Sequence, residues 1–376
     1  MPSSTSSSDL QGFERSVPGI PWLPTLALVA LLTMVLLVGW ELAMRNLGLQ
    51  PGDLDDGRAY WTEERRKLNA GPRDPLVIIG DSRILFDTNL ETWKELTGRR
   101  PIQLALMGAN AEPILHDLAS DEHFAGLLVI GTAEFSYFSH DAGSMPDVIE
   151  YMNRESPSQR IGHYLYRAAS RHLAFLDSNY TLFTLIERHP WRERENVKGP
   201  YLDVWKISEA YDGRQTYLWS RLERDAELRR HAEEVWVDIF AGEAVAAELV
   251  DEVSARSRAA IERIRARGGE VVWVRPPSAG PILATERARY PRREVWDRLV
   301  RDTGSFGVHF EDFPAMRQYE IPDSSHLSRA SAVEFTEAYV RELLENVPWL
   351  QERHGDDVRN RKVTPLEAHR RAPRAP

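Results

Sequence analysis

Leu76-Val-Ile-Ile-Gly-Asp-Ser-Arg83 is the stretch of this 376-residue chain on which the fold turns. Four consecutive aliphatic residues, three of them β-branched, read as a strand buried on both faces, because a half-exposed strand alternates apolar and polar positions. Gly80 ends the run, and a polar triplet follows where the chain would turn into a helix. The same grammar recurs downstream. Ile102-Gln-Leu-Ala-Leu-Met107, Leu127-Leu-Val-Ile130, Glu270-Val-Val-Trp-Val274 and, more weakly, Val308-His-Phe310 are apolar runs separated by helical stretches. Residues 241–267 carry sustained helical character and close at Gly268-Gly269, a C-cap signal. Ser331-Ala-Val-Glu334 reads as a capping box for a helix reaching Glu345. Strands alternating with helices predict an α/β domain over residues 75–350, with about five parallel strands covered on both faces. Ligands of such sheets sit beyond the carboxyl ends of the strands, at a topological switch point.

Those strand ends hold the chemistry. Ser82 follows the first run at a strand-to-helix turn, where a nucleophile is exposed beside backbone N–H groups; the same position also suits a helix N-cap. His326 closes Pro322-Asp-Ser-Ser-His326 directly before the last helix, and Asp323 lies three residues earlier, close enough in a tight turn to fix the imidazole tautomer. Gly108 follows the second run in Met107-Gly-Ala-Asn110, and Gly131-Thr-Ala-Glu134 follows the third. Arg83 and Arg275 also lie beside strand ends. They suit an acidic sugar or a carboxylate, or an ion pair with Glu134.

Taken jointly, Gly-Asp-Ser after the first strand, a glycine after the second and Asp-x-x-His before the final helix resemble the SGNH (GDSL) hydrolase superfamily, over residues 76–345 apart from a long insertion. The resemblance implies a three-layer α/β/α, flavodoxin-like fold. It implies Ser82 as nucleophile, His326 as general base and Asp323 as the residue orienting it, with the N–H groups of Ser82 and Gly108 forming an oxyanion hole. One position departs from the family pattern: Ala133 stands where an asparagine usually donates a third oxyanion hydrogen bond. Asn110 is the candidate substitute, or a loop residue capping a backbone group. Branches that acetylate bacterial polysaccharides often lack this block. The implied activity is therefore an O-acetyl esterase or O-acetyltransferase on cell-envelope or exported polysaccharide, with no cofactor. A carbohydrate or acylated glycan would be the substrate, and a polytopic membrane acyltransferase a candidate partner. The alternative is a catalytically degenerate domain of this type that binds glycan or scaffolds an export complex.

The insertion, at about residues 140–240, carries Trp191, Tyr201, Trp205, Tyr211, Tyr217 and Trp219 among charged residues. Such rings suit stacking on sugars, or form a small core of their own.

Ahead of the domain, residues 20–40 contain no charge, and 21 residues match the roughly 20 that cross about 30 Å of hydrocarbon as a helix. Trp22 and Trp40 lie near the two ends, where indoles favour the interface. A signal peptide fits less well, because no small-x-small cleavage site follows. We expect a single-pass anchor at 19–43, a disordered Ser-rich segment at 1–18, a juxtamembrane connector at 44–74 and a polar disordered tail at 351–376. Flanking charges do not set a direction, since Arg15 sits beside Glu14 and Arg45 near Glu41; the resemblance implies a domain facing the periplasm or exterior.

Composition removes other classes. Forty-seven Lys and Arg against 57 Asp and Glu give a net charge of −10, which offers no broad footprint for nucleic acid. Zero cysteines exclude thiolate catalysis, disulfide scaffolds and cysteine-ligated metals. No histidine pair at i,i+4 and no HExxH argue against zinc. No glycine-rich phosphate or dinucleotide loop is present.

Overall fold

The computed structural model describes residues 19, 21–188 and 206–354; the expected disordered segment at 1–18 and nearly all of the tail lie outside them. Seven strands are present among the described residues: β1 (Leu76–Gly80), β2 (Ile102–Gln103), β3 (Leu127–Gly131), β4 (Ser208–Tyr211), β5 (Gln215–Leu218), β6 (Glu270–Arg275) and β7 (Phe306–His309). Five of them form one parallel sheet in the order β2-β1-β3-β6-β7. β1 and β3 are buried at every position, and helices cover both faces with two separate apolar clusters. Chain order reverses between β1 and β3, so the switch point falls at their carboxyl ends. There Gly80 (φ +148°) and Gly131 lie side by side, and a Cβ on either would collide with Ile84 of the helix Ser82–Phe86. That helix can leave β1 abruptly only because both positions are glycine.

Several boundaries differ from the sequence reading. β2 keeps only two ladder residues, although Leu104 and Leu106 still donate to Ile78 and Gly80; between them the Ala105 N–H is taken by the Gln103 side chain. The helix expected from 241 begins at Ala247. Arg289 gathers the carbonyls of Phe240, Ala241 and Glu243 and so holds this segment out of helix. The last helix starts at Arg329, capped by Ser328 rather than Ser331. Residues 351–354 continue a helix, Pro348–His354, instead of opening a disordered tail.

The segment 44–74 is part of the domain, not a free connector. Its helix Arg58–Ala70 buries Tyr60 and Trp61 completely; the Trp61 indole donates to Leu104 O at 2.9 Å, and Arg65 binds Asp117 at 2.8 Å. Upstream, helix Trp22–Asn46 is long and apolar enough to cross a membrane. It also runs straight into the domain: the Glu41 carboxylate accepts the Ala174 and Phe175 N–H groups at 3.1 and 2.9 Å.

The described rings of the insertion pack onto the domain. β4 and β5 form an antiparallel hairpin in which Tyr217 and Trp219 are buried. Arg329 lies over the Tyr217 and Tyr211 rings. Tyr217 and Trp219 belong to the same apolar cluster as Ile78 and Val129 of the sheet, with Tyr211 packed against it, so the three rings fasten the insertion to the domain. Trp191, Tyr201 and Trp205 lie outside the described residues.

Candidate active site

The helix Ser82–Phe86 begins directly at Ser82, with Asp81 as its N-cap: Asp81 Oδ1 accepts the Arg83 N–H at 3.0 Å, and Oδ2 accepts the Ser136 hydroxyl at 2.5 Å. Asp81 thus fixes the turn, leaving the half-buried Ser82 hydroxyl pointing at His326. Ser82 Oγ lies 2.9 Å from His326 Nε2, and His326 Nδ1 lies 2.7 Å from Asp323 Oδ2. Residues separated by more than two hundred positions are thereby joined in one hydrogen-bonded line.

Asp323 is fully buried and heavily solvated by protein donors. Its Oδ1 accepts the Ser325 and His326 N–H groups at 3.0 and 2.7 Å, while Oδ2 also accepts the Trp236 indole N–H at 2.9 Å. Burial pushes this carboxyl up, but the facing His326 and the hydrogen bonds outweigh it and hold it below the ordinary range. The anionic form is the stable one, as a residue that orients an imidazole and stabilises its cation requires. The His326 ring is wedged between Phe86, at 4.8 Å, and the edge of Trp236, at 5.7 Å between centroids. Below it, Asp87 accepts the Leu327 N–H at 2.9 Å and ties the His326 loop to the end of the helix Ser82–Phe86. Complete burial, reinforced by Asp323 and Asp81, pushes the Asp87 carboxyl well above its usual range.

The backbone supplies electrophilic groups. Neither the Ser82 nor the Gly108 N–H enters a backbone hydrogen bond, and both residues line the cavity that holds Ser82 and His326. Gly108 has φ +66° with open space where a Cβ would stand, so glycine is needed there for conformation, not clearance. Asn110 does not join them. Its carboxamide accepts the Glu112 N–H at 2.8 Å and donates to Tyr137 O and Ser139 O, which makes it a loop cap. Ala133 presents no side-chain donor.

No family model and no curated protein matches this chain.

The charged residues expected at the substrate are instead locked to one another beside Ser82, His326 and Asp323. Arg275 makes two bonds to Glu134, at 2.8 and 3.0 Å, and one to Glu286 at 2.6 Å; Arg83 also pairs with Glu286 and donates to Ser325 Oγ. All four are buried. Burial opposes both charges, but the two arginines hold Glu286 down at about 2, whereas burial wins at Glu134 and raises it. Arg83, Glu134 and Arg275 therefore tie the ends of β1, β3 and β6 together and, through Ser325, to the His326 loop, the second of the two readings the sequence allows, and none of the three lines the cavity.

The cavity measures about 330 Å³ and lies between the sheet and the insertion. Met107, Phe135, Ile207, Trp236 and Phe240 give it a largely apolar wall, with Ser136, Asn179, Lys206 and Ser208 as polar positions. Lys206 is neutralised between Asp53 and Asp177, at 2.7 and 2.6 Å. Trp236, Phe86, Asp87 and Ser136 were not legible as site residues. Trp236 sits in an ordinary amphipathic helix, Ala226–Phe240, and only its packing across 87 positions reveals a partner.

Proposed function

We propose that the chain is a membrane-anchored serine acyl-transfer enzyme of the SGNH (GDSL) hydrolase type, an O-acetyl esterase or O-acetyltransferase acting on cell-envelope or exported polysaccharide outside the membrane. The Ser82–His326–Asp323 line of hydrogen bonds at the switch point carries this reading. Ser82 Oγ attacks the ester carbonyl and yields its proton to His326 Nε2. The tetrahedral oxyanion is met by the Ser82 and Gly108 N–H groups. Collapse of the intermediate breaks the ester C–O bond, and the leaving alkoxide takes the proton from His326, leaving an acyl-Ser82. Water or a sugar hydroxyl then gives its proton to His326, attacks, and restores Ser82. A cavity of about 330 Å³ accommodates a short acyl group, while a polymer would lie across its mouth.

One observation favours the degenerate reading. With Ala133 in place of a third donor, the hole holds two N–H groups, and a missing donor typically costs about 10²–10³ in turnover. The full chain in detergent, given acetylated polysaccharide or a small acetate ester, separates the two. Acetate transfer or release abolished by Ser82→Ala and by His326→Ala supports the enzyme. Glycan binding without turnover supports the degenerate domain.

A further inference from the structure

A second apolar surface lies where the anchor meets the domain. The inner face of helix Pro157–Ser170 is held to the domain: His163 contacts Glu63 at 3.2 Å, the Tyr166 hydroxyl donates to Leu176 O at 2.5 Å, and Ser170 is buried. The outer face presents Ile161, Tyr164 and Leu165, the last 67% exposed. The next α-helix, Leu182–Arg188, packs Leu185 inward and presents Leu182 and Phe183, the latter 79% exposed. Large apolar side chains this exposed, spaced at i,i+3,i+4 on one helix and repeated on its neighbour, mark an interaction surface.

Its position says what it meets. The turn joining these two helices is the point at which the anchor is fastened: Glu41 takes the Ala174 and Phe175 N–H groups, and Arg45 donates to His172 O at 3.3 Å. Glu41 and Arg45 are the first charges after the uncharged run, so they mark the depth at which hydrocarbon gives way to headgroups. Leu165 is seven residues before His172, a reach of roughly 10 Å at the 1.5 Å per residue of a helix, and Leu182 follows Phe175 by seven residues through two short 3₁₀ turns, Ala174–Leu176 and Ser178–Tyr180. We propose that Ile161, Tyr164, Leu165, Leu182 and Phe183 rest in the interfacial layer of the bilayer that helix Trp22–Asn46 crosses, so that the domain lies on the lipid surface and does not hang free above it. Asn179, on the cavity wall, precedes Leu182 by three residues; the rim of the site is held beside the lipid in consequence.

Depth-dependent quenching tests this directly. The chain has no cysteine, so single cysteines at Leu165, Phe183, Leu31 and Glu262 accept one environment-sensitive fluorophore each. The labelled full chains are reconstituted into phosphatidylcholine–phosphatidylglycerol vesicles with no doxyl lipid, with lipids doxyl-labelled near the headgroup, or with lipids doxyl-labelled deep in the acyl chain. Labels at 165 and 183 are expected to be quenched by the headgroup-proximal doxyl, the anchor label at 31 by the deep one, and the label at 262, on an exposed helix face, by neither. Quenching at 31 but not at 165 or 183 overturns the proposal. So does a blue shift at 165 and 183 that is insensitive to doxyl lipid, which marks a second protein copy on this face. Loss of quenching at all positions overturns it together with the anchor.

Discussion

Replacing Trp236 with phenylalanine removes one hydrogen-bond donor from Asp323 while keeping an aromatic ring beside His326. The lost bond is 2.9 Å long, reaches a buried carboxylate, and is one of four contacts that hold it. A hydrogen bond to a charged group contributes about 1.5–3 kcal/mol. The three contacts that remain place this one at the lower end, so the reactive alignment weakens by about 1.5 kcal/mol, close to tenfold in rate. The full chain in detergent, assayed with a small acetate ester, should show kcat reduced about tenfold with KM nearly unchanged. A double-mutant cycle gives the decisive control. If Trp236 acts through the His326–Asp323 pair, Trp236→Phe has no further effect on the residual rate of His326→Ala. A Trp236→Phe enzyme within twofold of wild type, or a full tenfold loss persisting in the His326→Ala background, would refute the positioning role and leave Trp236 as cavity wall only.

Two further outcomes follow from the buried charges. Arg275→Met leaves Glu134 and Glu286 facing each other without their shared cation, and removal of one member of a buried ion pair costs about 3–5 kcal/mol; urea unfolding should show that loss, whereas a substrate-binding arginine would raise KM at unchanged stability. His309 is buried, its Nδ1 accepts the Glu311 N–H at 3.1 Å, and burial with the nearby Arg275, Arg292 and Arg287 lowers its pKa to about 2. The unfolded chain binds a proton there below about 6.5 and the folded chain does not, so stability falls as pH drops through that value, by about 1.4 kcal/mol per pH unit from this group. His309→Asn keeps an acceptor for Glu311 and should flatten the measured slope by that amount between about pH 6 and 5; an unchanged slope would show that His309 takes up a proton in the folded state.

The sheet was legible because its central strands are apolar at every position, a pattern that survives without knowledge of neighbours. β2 and the 241–267 segment were misjudged for the opposite reason. Local composition favoured a longer strand and a longer helix; a distant group, the Arg289 guanidinium, overrode it in the helix, and in β2 the neighbouring Gln103 side chain takes the Ala105 N–H. At the site, Ser82, Asp323 and His326 could be singled out because each lies in a short motif beside a strand end or a helix start. Arg83, Glu134 and Arg275 lie in equally suggestive places, yet their charges are consumed by one another and by Glu286, a residue that nothing local to it marks. Asn110 has two readings in the sequence, third donor or loop cap, and only the folded loop selects the cap. Trp236 is the converse case, an unremarkable position given its role wholly by tertiary contact.

The central claim is that the Ser82 hydroxyl is an activated nucleophile. The direct measurement is intact-mass analysis and peptide mapping of the full chain in detergent after treatment with a fluorophosphonate. The geometry predicts a single adduct on the peptide carrying Ser82, abolished by Ser82→Ala and strongly slowed by His326→Ala. Folded protein that stays unmodified, or that carries the adduct on another serine while Ser82 remains free, would contradict it.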